Sequence, residues 1–95
     1  MKIYTVEQGG YEGHSIIAFY TNREDAVAHL HRIHERLKKV LKYNYDNMPI
    51  GFRDDSMLEL NFNEEKLKIR THMYSYYIKS YDEGKTYENL YDRYM

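Results

Sequence analysis

Residues 21–43, TNREDAVAHLHRIHERLKKVLKY, are the longest periodic stretch in the chain and decide how the rest is read. Ala26, Leu30, Ile33, Leu37, Val40 and Leu41 recur at three- and four-residue spacing, which gathers them on one helical face. Thr21 is placed to cap the N-terminus, with Glu24 three residues on to complete a capping box. Lys38, Lys39 and Lys42 supply the charge that suits a helix C-terminus. At 1.5 Å per residue such a helix is roughly 30 Å long, enough to cross a small sheet.

On the N-terminal side, residues 1–7 (MKIYTVE) read as a strand of β-forming residues. The glycine-bearing stretch 8–13 reads as a loop, and 14–20 (HSIIAFY) as a second strand, making an antiparallel hairpin. Strict alternation sends Ile16 and Ala18 to one face and Ile17 and Phe19 to the other. On the C-terminal side, residues 44–56 hold the only proline and read as a loop of about a dozen residues. Two alternating runs follow, Leu58, Leu60, Phe62 and then Leu67, Ile69, joined at Asn63-Glu64-Glu65 as a second hairpin. The aromatic run 72–81 (HMYSYYIKSY) is a fifth strand. Residues 86–95 place Tyr87, Leu90, Tyr91 and Tyr94 at helical spacing behind Thr86. The expected fold is α+β, an antiparallel sheet in β-β-α-β-β-β-α order with the long helix across one face.

Ninety-five residues make one domain, 1–95, with a modest core. A formal charge of −1 gives no global argument for nucleic acid or an anionic membrane. The chain has no cysteine, which excludes disulfides and thiolate metal sites. It has no apolar run of membrane-spanning length, so a cytoplasmic location is the default expectation. Twelve tyrosines against three phenylalanines and no tryptophan favour half-buried rings with polar tips, a pattern of small cores and of interfaces.

KIYTV at 2–6, SIIAFYTNREDAVAHL at 15–30 and YSYYIKSYDEG at 74–84 together resemble small uncharacterised proteins of tailed phages and their bacterial hosts. Those open on a K-[IV]-Y-x-V strand and close on a YYI-type strand. This chain departs from them by its longer helix and by segment 44–71. The resemblance implies a phage or mobile-element accessory protein that acts in the host cytoplasm by binding host or defence components. It carries over no catalytic residues.

Among chemistry-bearing groups, His31 and His34 share a helix surface beside Glu35, while His29 points elsewhere. No HExxH context or third ligand accompanies them, so no metal site is expected. Arg32, Arg36 and Lys39 recur at i, i+4, i+7 on a stripe flanked by Lys42, able to meet phosphates. The plainer account is a solvated face steadied by pairs such as Glu35 with Lys39. Asp54-Asp55 lacks the spacing of a calcium loop. No nucleophile elbow, phosphate loop or other catalytic motif is present, so neither an enzyme nor a cofactor is expected.

These observations point first to a non-enzymatic protein-binding accessory protein, an inhibitor of a host or defence protein, that also self-associates. Its expected contacts are Tyr77, Tyr81, Tyr87, Tyr91 and Tyr94 on the sheet face away from the long helix. The alternatives are a nucleic-acid-contacting protein using Arg32, Arg36, Lys39 and Lys42, and a binder of small nucleotides.

Overall fold

A computed structural model describes residues 2–10 and 12–82. Two strands, β1 (Lys2–Gly10) and β2 (Gly13–Tyr20), precede the helix α1 (Arg23–Asn47). Two short 3-10 turns, Ile50–Phe52 and Asp55–Leu58, lead into β3 (Leu60–Asn63), β4 (Lys68–Thr71) and β5 (Tyr74–Asp82). The five strands form one antiparallel sheet in the order β2-β1-β5-β4-β3, with α1 packed on one face. The expected α+β architecture and element order are therefore observed through β5. The proposed helix at 86–95 lies outside the described residues.

Both ends of α1 differ from the sequence reading. Asn22, not Thr21, is the N-cap, and its Oδ1 accepts from the Glu24 backbone N–H at 2.8 Å. An Asx side chain is a strong competitor for this role because it reaches its own chain two residues on. At the other end the helix continues to Asn47, and no basic residue lies in its last turn. Arg53 does that work from the following segment. Its Nε and Nη2 donate to the carbonyls of Met48 and Asp46, each at 2.9 Å. The loop expected at 44–56 instead spans 48–59, about as long as expected but built from turns, the second capped by Asp54 Oδ1 on the Ser56 N–H.

In the first hairpin, β1 runs on to Gly10, where a loop was expected from Gln8. Gly10 is required there by close approach, since a Cβ would lie 2.6 Å from Tyr74 Cδ1 and 2.8 Å from the Met73 carbonyl. A register shift between Val6 and Glu7 breaks the alternation of β2. Val6 pairs with Ala18 beneath the helix, but Glu7 pairs with Ile16, so Ile16 joins the far face rather than sharing Ala18's side. In the second hairpin, Asn63 Oδ1 accepts from the Lys66 N–H, and Leu67 takes a left-handed φ of 52°. Leu67 packs against the core, and that burial holds a backbone state costing about 1–2 kcal/mol.

Among the described residues only Val6, Ala26, Leu30 and Ile69 form the fully buried core. Ala26 and Leu30 come from the first third of α1, while Ile33 and Leu37 are partly covered and Val40 is 43% exposed. A 25-residue helix is about 37 Å long, so its C-terminal part extends past the fully buried core. Leu30→Ala should cost about 2–5 kcal/mol, the range for emptying a packed aliphatic site. Urea unfolding monitored by circular dichroism measures it, and a smaller loss would place the core elsewhere on the helix.

Candidate functional site

Two places on the structure stand out. The first lies on the sheet face away from α1. Glu7 is fully buried, as is its neighbour Thr5. The Glu7 carboxylate accepts from the Thr5 hydroxyl, from Tyr81 Oη at 3.0 Å and from His14 Nε2 at 2.6 Å. On its other side the His14 ring brings Nδ1 to the Tyr77 hydroxyl, 2.8 Å away. Tyr77 reaches β2 from β5 by lying across Gly9, where a Cβ would sit 3.4 Å from the phenol oxygen. Lys79 Nζ stands 5.7 Å from the same ring.

Carboxylate, imidazole and hydroxyl follow one another here in the order that activates hydrolase nucleophiles. The surroundings favour a different role. The neighbouring cleft is lined by His14 but by neither Glu7 nor Tyr77, and the three groups come from three adjacent strands. The chain of bonds fastens β5 to β2 across β1. No local motif marks this chain, because His14 and Tyr77 are brought together only by the sheet order.

Of the expected tyrosine contacts, Tyr77 and Tyr81 do share the far face. Tyr81 is only 7% exposed and donates to Glu7, and Tyr77 is half-buried. Tyr87, Tyr91 and Tyr94 lie outside the described residues. Ile17 and Phe19 are the exposed apolar groups of β2.

The second place is the C-terminal end of α1 with the segment after it. Leu37, Val40 and Leu41 from the helix, Met57, and Met73 and Tyr76 from the β4–β5 end border an apolar groove of about 330 Å³. Met73 is 53% exposed and Leu58 43%. Beyond the groove Ile50 and Phe52 are 81% and 76% exposed. They are nevertheless held in place. The Phe52 N–H donates to the Pro49 carbonyl at 2.8 Å, Arg53 is tied to the helix end as described, and its guanidinium lies 5.4 Å from the Tyr45 ring.

The helix histidines have packing roles. His31 and His34 both contact the Phe62 ring, with centroids 4.9 Å away in each case. Among the described residues no three His, Asp or Glu converge as metal ligands. His29 Nδ1 meets the Tyr20 hydroxyl at 2.8 Å. Burial, with Arg32 nearby as the lesser cause, lowers the His29 pKa below its ordinary value. Arg32, Arg36 and Lys39 are exposed along the same flank of α1. Glu35 pairs with Lys38 at 3.0 Å rather than with Lys39. Among the described residues no helix is long and apolar enough to cross a membrane. No family model, curated protein or solved structure matches this chain.

Two outcomes follow from these networks. Glu7→Gln replaces one acceptor by a donor facing hydroxyl and imidazole donors, and should destabilise the fold by about 1–3 kcal/mol in urea melts. A wild-type midpoint would deny the staple any part in stability. For His29, a folded pKa below the unfolded value means the unfolded chain binds more protons, so its contribution is present above the unfolded pKa and fades as pH falls through it. Melting temperatures between about pH 7.5 and 5.5 should therefore fall less steeply in His29→Gln than in wild type. Parallel curves would remove His29 from the pH response.

Proposed function

We propose that this chain is a non-enzymatic protein-binding accessory protein whose docking surface is the exposed apolar end of α1 and the segment following it. The observation that carries this reading is the presentation of Ile50 and Phe52. Large apolar side chains are more than three-quarters exposed on a backbone pinned by Arg53 and by its own turns. A chain that orders such residues in solution has already met the entropic cost of displaying them, the condition under which a few side chains dominate binding. The groove beside Met57 and Met73 adds a concave apolar element, and Met there adapts to irregular partners.

This reading moves the contact surface from the far sheet face to the helix end, because Tyr81 is buried against Glu7. The resemblance of the chain's ends to phage accessory proteins gives a host or defence protein as the class of partner, with inhibition by occlusion as the mode. Self-association through the same apolar end is the companion expectation.

Ile50→Ser with Phe52→Ser separates docking from folding. Both positions are so exposed that stability should change by no more than about 0.5 kcal/mol. Immobilised wild-type protein should retain a discrete protein from host extract that the double variant loses, and light scattering should give wild type a mass above 11.6 kDa that the variant lowers. Identical capture by both proteins, or a shared monomeric mass with no partner retained, overturns the reading.

A further inference from the structure

We infer that the flank of α1 facing β2 is a binding strip for single-stranded nucleic acid, in which Arg32, Arg36 and Lys39 follow the phosphates and Tyr43 stacks on a base. With 3.6 residues per turn, His29, Arg32, Arg36, Lys39 and Tyr43 fall within about 80° of the helix circumference. Lys42 turns about 60° further from Lys39 and lies off the strip. The 1.5 Å rise puts Arg32 and Lys39 about 10 Å apart along the axis.

Three observations raise this strip above an ordinary solvated face. First, its cations make no close ion pair, although Glu35 shares the second cleft with Arg36 and Lys39. The one carboxylate among residues 26–45, Glu35, is taken by Lys38. Among the described residues no carboxylate lies within 4.0 Å of Arg32, Arg36 or Lys39.

Second, the strip has relief. His29, Arg32, Ile33 and Arg36 line a cleft of about 280 Å³, and Glu35, Arg36, Lys39 and Val40 line a second of about 380 Å³. Arg36 stands between them, where its planar fork can pair with a phosphate on either side. The Tyr20 hydroxyl holds the His29 ring that walls the first cleft.

Third, the basic run ends on an aromatic ring. Tyr43 is 68% exposed and lies one turn beyond Lys39 on the same strip. Side-chain cations that end on an exposed ring suit a single strand, whose unpaired bases offer faces for stacking; a duplex hides them. A bare anion strip would gain nothing from Tyr43.

The test is fluorescence anisotropy of labelled oligo(dT) and oligo(U) with the full chain. Micromolar binding at about 50 mM salt is expected, with a log–log salt slope near −2, from roughly 0.7 per cation for three cations. Affinity should thus fall roughly twentyfold by about 200 mM salt. Arg32→Glu with Arg36→Glu should abolish binding, and Tyr43→Ala should weaken it about tenfold with the slope unchanged. Should the double charge reversal fail to fold, Lys39→Gln must lower the slope by about 0.7. Absence of binding at low salt overturns the proposal, as does wild-type affinity in folded variants. Equal binding to duplex, to inorganic polyphosphate or to phosphatidylglycerol vesicles, with Tyr43→Ala silent, also overturns it, in favour of a general anion surface.

Discussion

Leu30 meets Val6 and Ile69 with no surface left exposed, and with Ala26 these make up the fully buried core of the described residues. Every other element is placed by reference to that contact. It sets the first third of α1 over β1, at the second position of a sheet whose order is β2-β1-β5-β4-β3. From there the helix flank toward β2 brings His29 to Tyr20, and the opposite flank brings His31 and His34 to Phe62 of β3. A core this small cannot cover 25 residues of helix. The C-terminal half of the apolar stripe is consequently only half covered, and the segment after it must find its order elsewhere.

Polar bonding supplies that order at two points where apolar burial is thin. On the far face, a buried carboxylate gathers donors from its own strand and from both neighbours. A buried charge left without such partners would cost several kcal/mol, so these bonds also fix the register among β2, β1 and β5. At the helix end, Arg53 closes carbonyls that no intrahelical N–H can reach, and in doing so folds residues 48–53 back on the helix. The bonds that cap the helix thus also hold Ile50 and Phe52 in their exposed positions.

The helix, the strands and their antiparallel order were legible because periodicity reports which side of an element is buried. Ala26, Leu30, Ile33 and Leu37 do face the sheet. What periodicity cannot report is where an element stops or which strands lie side by side. Asn22 displaced Thr21 as cap through a single side-chain bond, and the helix ran past Tyr43 because Arg53, in the segment that follows, satisfied its end. Ile16 changed faces at a bulge that a strictly alternating pattern conceals. The Glu7–His14–Tyr77 chain depends on β5 pairing with β1, a long-range choice written in no local motif. Arg32, Arg36 and Lys39 were visible as a stripe, but their lack of acidic partners emerged only from the geometry of Glu35 and Lys38.

The two exposed surfaces of α1 have a common origin in its length. A helix ending near Leu37 would have matched the small core and shown solvent a conventional polar back. Ten further residues carry the apolar stripe beyond full cover and extend the basic flank to Tyr43 at the same time. Apolar and cationic strips on one helix lie side by side: Val40 borders both the groove with Met57 and the cleft with Arg36. A protein seated in the groove would cover Val40 and crowd Arg36 and Lys39, while a strand following the basic flank would leave Ile50 and Phe52 open. Occupants of the two surfaces would therefore compete near Val40 and be independent at the segment's tip.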